Sequence, residues 1–252
     1  MIASLWRWVA CLLLAVMLGA CSAQQSRDPG QPRSPAEINA ELGLRYMQQD
    51  DYEVALEKLK RALKQNPRLA SAHHYIALLY DRLGSSDQAG QHFALAISLA
   101  PNNAAIQNNY GVFLCKQGHY RQAEERFLQV LKVPDYKRPD ETYENAGLCA
   151  LRIPDKQKAA GYFTRALAFN PLRTNSLYQM MKLSLDGGRL QEAEGFLRRY
   201  EKLAAHSPQS LLLAVRIERR LGNQTALRAY MQQLRSRFPD SQEAHRLSSK
   251  AR

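Results

Sequence analysis

The sequence lacks the short motifs that usually mark an enzyme. It has no glycine-rich phosphate loop, no spaced set of metal ligands and no nucleophile elbow. Its one pair of neighbouring histidines, His73-His74, would point in two directions on a helix, whereas a metal site needs ligands at positions i and i+4. We therefore predict a non-enzymatic protein with no catalytic residue, metal, cofactor or small-molecule substrate.

Long apolar runs are also scarce. The run near the N-terminus, Val9 to Ala20, is shorter than the roughly 20 residues that a membrane-spanning helix needs, but it follows Arg7 and suits the core of an export signal. It ends in Leu18-Gly19-Ala20-Cys21, which resembles the cleavage box of bacterial lipoproteins. The resemblance implies a signal peptide at 1–20 and lipidation of Cys21. An ordinary secretory signal with an unrelated cysteine is the alternative.

Residues 21–35 are predicted to be a flexible tether. This segment contains Pro29, Gly30 and Pro32 but no large apolar residue, so it cannot bury enough surface to fold. Ser22 stands where lipoproteins retained at the inner membrane usually carry Asp. We therefore expect a lipid-anchored protein of the outer membrane, with its folded domain facing the periplasm.

Downstream of the tether, small, aromatic and proline residues recur at the 34-residue period of tetratricopeptide repeats. Small residues let two helices approach closely, the aromatic fills the space between them, and proline ends the second helix. Four units match the pattern and the last two are degenerate. The predicted units are 36–69, 70–103, 104–139, 140–173, 174–207 and 208–241, followed by a C-terminal tail at 242–252.

One helical hairpin cannot cover its own apolar face, so stacked units share a continuous core. No segment shows the alternation of apolar and polar residues that is typical of a half-buried strand. The sequence therefore predicts an all-α solenoid, a superhelix of helix-turn-helix units whose first helices line a concave surface.

Two cysteines, Cys115 and Cys149, fall on the first helices of the third and fourth units. An exported protein meets an oxidising compartment, and the first helices of adjacent units pack side by side. A disulfide is possible if the two α-carbons come within about 7 Å. It would stabilise the junction where a two-residue insertion at 133–139 weakens the repeat register; two buried thiols are the alternative.

A rigid concave solenoid is suited to bind a peptide or helix of a partner in the groove that its first helices line. The repeat register places six residues on or beside that lining: Leu44, Met47, Tyr75, Leu78, Asn109 and Asn145. The apolar ones suit an apolar partner segment, with partial burial in the core as the alternative. The two asparagines suit hydrogen bonds to a bound peptide, with local bonding inside the repeats as the alternative.

Acidic residues are outnumbered, 23 against 35 lysines and arginines, and most of the excess lies late in the chain. Residues 198–252 contain twelve basic and four acidic side chains. Such a surface attracts anions, and export argues against nucleic acid as the partner. The candidate partners are anionic lipid headgroups, a cell-wall polymer or an acidic protein. A solvated surface with no dedicated partner is the alternative.

The combination of lipobox, short polar tether, six repeats and a cysteine pair in the third and fourth units resembles the type IV pilus pilotin lipoproteins of Gram-negative bacteria. The resemblance covers the whole mature chain. It implies that the protein binds the secretin, the outer-membrane ring through which the pilus passes, and promotes its localisation and multimerisation there. The alternative is a tetratricopeptide lipoprotein that docks cell-wall hydrolases or division proteins.

Overall fold

The computed structural model describes residues 32–153 and 155–249, and within these ranges it contains thirteen α-helices and no strand. Twelve helices form six consecutive pairs, and they belong to one compact unit that begins at Ala36. The all-α repeat fold predicted from the sequence is confirmed. The predicted signal peptide, Cys21 and most of the predicted tether lie outside the described residues.

Each pair consists of a first and a second helix joined by a short turn. The bounds are α1 (Pro35–Gln48) and α2 (Tyr52–Gln65), α3 (Ala70–Arg82) and α4 (Ser86–Leu99), α5 (Ala104–Lys116) and α6 (Tyr120–Val130), α7 (Pro139–Ala150) and α8 (Lys156–Phe169), α9 (Thr174–Asp186) and α10 (Leu190–Glu201), and α11 (Pro208–Leu221) and α12 (Gln224–Arg237). A thirteenth helix, α13 (Gln242–Ser249), follows the last pair.

The segment predicted to be a tail thus contains α13. Ala244 and Leu247 of this helix are buried in one cluster with Leu211, Leu227 and Leu234 of the sixth pair. A terminal repeat exposes an apolar face that no following repeat covers, and α13 covers part of that face.

Within a pair, the two helices touch at a small residue of the first helix and a large residue of the second. A Cβ atom added to Gly111 would lie 2.6 Å from the ring of Phe127, and one added to Gly147 would lie 2.8 Å from the ring of Phe163. Both rings are completely buried. The helices are therefore as close as a glycine permits, which explains the small residue at this repeat position.

In five of the six pairs, the turn between the two helices contains a residue with positive φ. Gly84, Gly118, Gly188 and Gly222 occupy this position with φ between 75 and 84°, a conformation that glycine adopts without steric cost. Asp50 takes the place of glycine in the first pair, with φ 60°. Aspartate is among the few other residues that tolerate this region.

Adjacent pairs are tied by cations at the ends of their first helices. The guanidinium of Arg82 donates to the carbonyl oxygen of Met47 at 3.0 Å, and that of Arg220 donates to the carbonyl oxygen of Leu185 at 2.7 Å. These carbonyls lie at the C-terminal ends of α1 and α9, where backbone acceptors lack helical partners and the helix dipole favours positive charge.

A disulfide also ties two first helices. Cys115 of α5 and Cys149 of α7 are joined, with their α-carbons 5.8 Å apart. The bridge connects the third and fourth pairs, whose connecting loop, at residues 131–138, has eight residues where the two preceding connections have four. A covalent bond thus lies at the junction where the repeat spacing changes.

The close approach inside a pair can be tested with two glycines of the fourth pair. Gly147→Ala should lower the free energy of unfolding by about 1 to 3 kcal/mol, because the ring of Phe163 has to move. Gly161 of α8 has nothing within 4 Å of an added Cβ. Gly161→Ala should therefore raise the free energy of unfolding by about 0.5 to 1 kcal/mol, since alanine is the better helix former. Urea denaturation measures both, and effects of the same sign would contradict the packing explanation.

The disulfide should contribute measurably to stability. Replacing Cys115 and Cys149 with alanine should lower the free energy of unfolding by about 3 to 4 kcal/mol, the loop-entropy value for a bridge that spans 34 residues. Adding a reductant should destabilise the wild-type chain to a similar degree and leave the double variant unchanged. Two free thiols in the intact mass of non-reduced protein would contradict the bridge.

Candidate protein-binding face

One register position of the first helices forms an apolar row. Leu44, Leu78, Val112 and Leu148 lie on α1, α3, α5 and α7, spaced by 34, 34 and 36 residues. Val112 is 43% exposed, and the other three are half-buried against the core. The larger last interval reflects the insertion between the third and fourth pairs. We call these four residues the apolar row.

The apolar row gives way to cations further along the chain. The same register position holds Lys182 in α9 and Arg216 in α11, and both side chains are exposed. Arg216 lies 3.8 Å from the carboxylate of Asp186, which also accepts from Lys156 at 3.5 Å. The surface of the first helices is therefore apolar in four pairs and mixed in charge in the last two.

The predicted groove residues Leu44 and Leu78 belong to the apolar row, and Val112 and Leu148 extend it. Sequence reasoning missed these last two, although the repeat spacing alone identifies them. Met47 is different: it is only 2% exposed and packs inside the core of the first two pairs, so its side chain does not reach the surface. Met47 is corrected to a core residue, because α1 turns its side chain towards the second helix of the pair and the neighbouring repeat.

A second register position contains the other three predicted groove residues. Tyr75, Asn109 and Asn145 lie at equivalent positions of α3, α5 and α7, and all three are half-buried. Burial raises the pKa of Tyr75, and the nearby charge of Glu41 raises it further. We define Tyr75, Asn109 and Asn145 together with the apolar row as the first-helix face.

The two asparagines also hold the first helices together. The amide nitrogen of Asn109 donates to Nε2 of His74 at 2.9 Å, and that of Asn145 donates to the side-chain oxygen of Asn108 at 3.2 Å. Thr142 donates to the same oxygen of Asn108 at 3.2 Å. Polar side chains therefore connect α3, α5 and α7 directly beneath the apolar row. Local bonding, one of the two alternatives for these asparagines, thus occurs, and both residues are only partly buried.

An ion pair continues this polar connection into the fifth pair. Glu144 of α7 is 7% exposed and accepts hydrogen bonds from Arg173 at 2.7 Å and from Ser176 at 2.6 Å. Burial alone would oppose ionisation of Glu144, but these hydrogen bonds and the charge of Arg173 outweigh it and lower its pKa. Arg173 also donates to Asp140 at 3.0 Å. The buried carboxylate of Glu144 thus has a cationic partner and hydrogen bonds, which is the condition for tolerating it.

The buried members of this connection follow the repeat. His74, Asn108 and Glu144 occupy one register position of three successive first helices, and each is less than one tenth exposed. Each bonds to a side chain of the next first helix. We call His74, Asn108, Glu144 and these partners the polar seam. A search for polar residues at the repeat spacing would have detected it.

The first-helix face consists of aliphatic, amide and phenol side chains in the part of the chain that the structure describes. No three His, Cys, Asp or Glu side chains lie together there in a way that could hold a metal ion. None of the helices in residues 32–153 and 155–249 combines the length and apolar character needed to cross a membrane.

Comparison with known proteins identifies the family to which the chain belongs. Two tetratricopeptide-repeat family models match residues 41–104 with 114–173 and residues 92–125, and together they span 41–173, more than half of the chain. The chain belongs to the tetratricopeptide-repeat family, whose stacked helices serve as protein-binding scaffolds.

Within this class, the chain is homologous to proteins of type IV pilus biogenesis. It is 27% identical to the type IV pilus assembly protein PilF of Pseudomonas aeruginosa over 235 residues, which are 92% of this chain and 93% of the relative. A solved structure of PilF from Pseudomonas aeruginosa superposes with a TM-score of 0.79 at 25% identity, covering 86% of this chain and 97% of that one. The solved structure of PilW, described as a widely conserved type IV pilus biogenesis factor, superposes with a TM-score of 0.78 at 29% identity, covering 86% and 99%.

The polar seam makes stability depend on pH. Nε2 of His74 accepts the hydrogen bond from Asn109, so His74 is neutral in the fold, and burial lowers its pKa from 6.5 to about 4. A histidine with a depressed pKa stabilises the fold above pH 6.5, and this contribution is lost as the pH falls towards 4, because the unfolded chain binds the proton more readily. The full loss would be about 3 kcal/mol.

Urea midpoints of the wild-type chain and of His74→Gln, measured between pH 7.5 and 4, test this dependence. Glutamine can still accept from Asn109 but does not titrate, so the variant should lose less stability over this interval. His245→Gln, at an exposed histidine of α13, is the matched control and should follow the wild-type curve. Parallel curves for the wild type and His74→Gln would show that His74 does not titrate as stated.

Proposed function

We propose that this protein is the lipid-anchored pilotin of a type IV pilus system. Its first-helix face binds a segment of the secretin subunit, and lipid on Cys21 carries the complex to the outer membrane, where the secretin multimerises. The observation that carries the proposal is the homology to PilF over 92% of the chain, together with the structural match to PilW.

The geometry of the first-helix face suits a partner segment with a line of apolar side chains. The apolar row presents Leu44, Leu78, Val112 and Leu148 in register on four neighbouring helices. Covering a half-exposed aliphatic side chain contributes on the order of 1 kcal/mol, so four such contacts can support specific binding. Beside the row, the half-exposed amides of Asn109 and Asn145 can bond the backbone of the bound segment.

Rigidity supports the same function. The polar seam, the disulfide and the arginines at the helix ends fix the spacing of neighbouring first helices before any partner arrives. A preorganised surface loses little conformational entropy on binding, so more of the contact free energy appears as affinity.

The N-terminal sequence supports the proposed location at the outer membrane. A lipobox at Leu18 to Cys21 followed by a proline-containing polar segment fits a protein held at a membrane by covalent lipid. Several acyl chains give durable attachment, because one chain anchors only marginally. The folded domain would then work within the reach of the tether.

Secretin assembly in cells tests the proposal. Heat-resistant secretin oligomers should be lost or misplaced to the inner membrane in cells that lack this gene, and the wild-type gene should restore them to the outer-membrane fraction on gels. With Cys21→Ala, the oligomers should fail to reach the outer membrane. Unchanged outer-membrane oligomers in cells without the gene would overturn the proposal.

The binding face is tested in the same cells by a matched pair of variants. Val112 on the apolar row and Leu95 on α4 are similarly exposed, at 43% and 46%. Val112→Glu places a carboxylate in the proposed apolar contact and should weaken secretin capture about tenfold, which corresponds to about 1.4 kcal/mol. Leu95→Glu should leave capture unchanged. Equal effects of the two variants would exclude the first-helix face as the binding surface.

A further inference from the structure

Two apolar side chains project where α8 ends and the loop to α9 begins. Phe169 is 61% exposed and Leu172 is 65% exposed, more than any other large hydrophobic residue of the described chain. They lie on either side of Asn170-Pro171, at the end of the fourth pair. We call Phe169 to Leu172 the apolar tip.

The apolar tip is held in a fixed conformation. The side-chain oxygen of Asn170 accepts from the backbone N–H of Leu172 at 3.1 Å, and the amide of Asn170 donates to Asp140 at 3.0 Å. Arg173 donates to the same carboxylate oxygen at 3.0 Å. These hydrogen bonds restrict the loop to the conformation that presents Leu172 to solvent.

Arginines flank the tip on both sides. The guanidinium of Arg165 lies 5.7 Å from the centre of the Tyr143 ring, and this ring stacks on Phe169 with 5.7 Å between centres. On the other side, Arg199 donates to the carbonyl oxygen of Pro171 at 3.3 Å. Arg173 pairs with the carboxylates of both Asp140 and Glu144. Together with Arg165 and Arg199, these groups leave one net positive charge around the tip.

The repeat does not require apolar residues here. The equivalent loop of the first unit has the same turn, in which Arg68 donates its N–H to the side chain of Asn66 at 3.0 Å. Gln65 and Arg68 occupy the positions of Phe169 and Leu172, and both are exposed. The fold therefore accepts polar residues at both places, and the apolar pair needs another explanation.

We propose that the apolar tip is a second binding site of this protein, for the surface of an anionic phospholipid membrane. Phe169 and Leu172 enter the interface between headgroups and acyl chains, and Arg165 and Arg199 contact phosphates. Two protruding side chains are too few for a specific protein interface, which needs about 1,200 Å² of buried surface, but shallow insertion beside arginines needs no more. This site goes beyond secretin binding and does not depend on the lipid anchor.

A tryptophan reporter tests the site in the full chain. Trp6 and Trp8, the two tryptophans of the chain, lie in the predicted signal peptide, so Phe169→Trp gives the processed lipoprotein a single fluorophore at the tip. The protein is reconstituted into vesicles of phosphatidylcholine, with or without phosphatidylglycerol, that carry brominated acyl chains. We expect at least twofold quenching in the vesicles that contain phosphatidylglycerol. The same reporter in the matched loop, Gln65→Trp, should be quenched little.

Two further variants separate the contributions of the tip. Leu172→Arg in the Phe169→Trp protein introduces the residue of the first loop; it should keep the urea midpoint and lose most of the quenching. Arg165→Gln with Arg199→Gln should abolish the difference between the two vesicle types. Equal quenching at positions 65 and 169, or none at 169, would overturn the proposal. A blue shift without vesicles that grows with protein concentration would also overturn it and assign the tip to a second copy of the chain.

Discussion

The structure depends on how closely two helices approach inside each pair. Where Gly147 meets Phe163, and where Gly111 meets Phe127, the missing side chain lets a buried ring lie against the backbone of the first helix. This contact fixes the distance and angle between the helices, and therefore which residues of the first helix remain at the surface. The apolar row consists of residues left at the surface in this way. Each of its side chains directly follows the small residue of its helix, Gly43, Ala77, Gly111 or Gly147, and lies partly outside the packed interior.

Contacts of a different kind hold one pair to the next. The interior of a pair is apolar. The connections between neighbouring pairs instead include hydrogen bonds of Asn109 with His74 and of Thr142 with Asn108, and a buried ion pair of Glu144 with Arg173. Hydrogen bonds are directional, so they specify one relative position of neighbouring helices where apolar packing would tolerate several. A surface that must match a partner over several repeats gains from this precision.

The repeat made much of the fold predictable, because a 34-residue period places small and large residues where two helices must touch. The same period would have identified Val112 and Leu148 once Leu44 and Leu78 were chosen. Met47 illustrates where such reasoning ends: its register suggested the surface, but burial at the end of α1 depends on how the neighbouring repeat covers it. Helix α13 escaped prediction for a related reason, since eight residues with two buried apolar side chains give little periodic signal.

The spacing of the links between pairs determines the order in which the chain can fold. The disulfide joins residues 34 positions apart, and the hydrogen bonds of Arg82, Asn109 and Asn145 to the preceding first helix span 35 to 37. Contacts between neighbouring pairs thus join residues about one repeat apart in the sequence. The contact order, which is the mean sequence separation of contacting residues, is therefore low. Each pair can therefore dock on its predecessor as soon as it emerges during synthesis or translocation. Cys149 can meet Cys115 while the last hundred residues are still to come, so oxidation would link the third pair to the first helix of the fourth before the degenerate pairs have to fold.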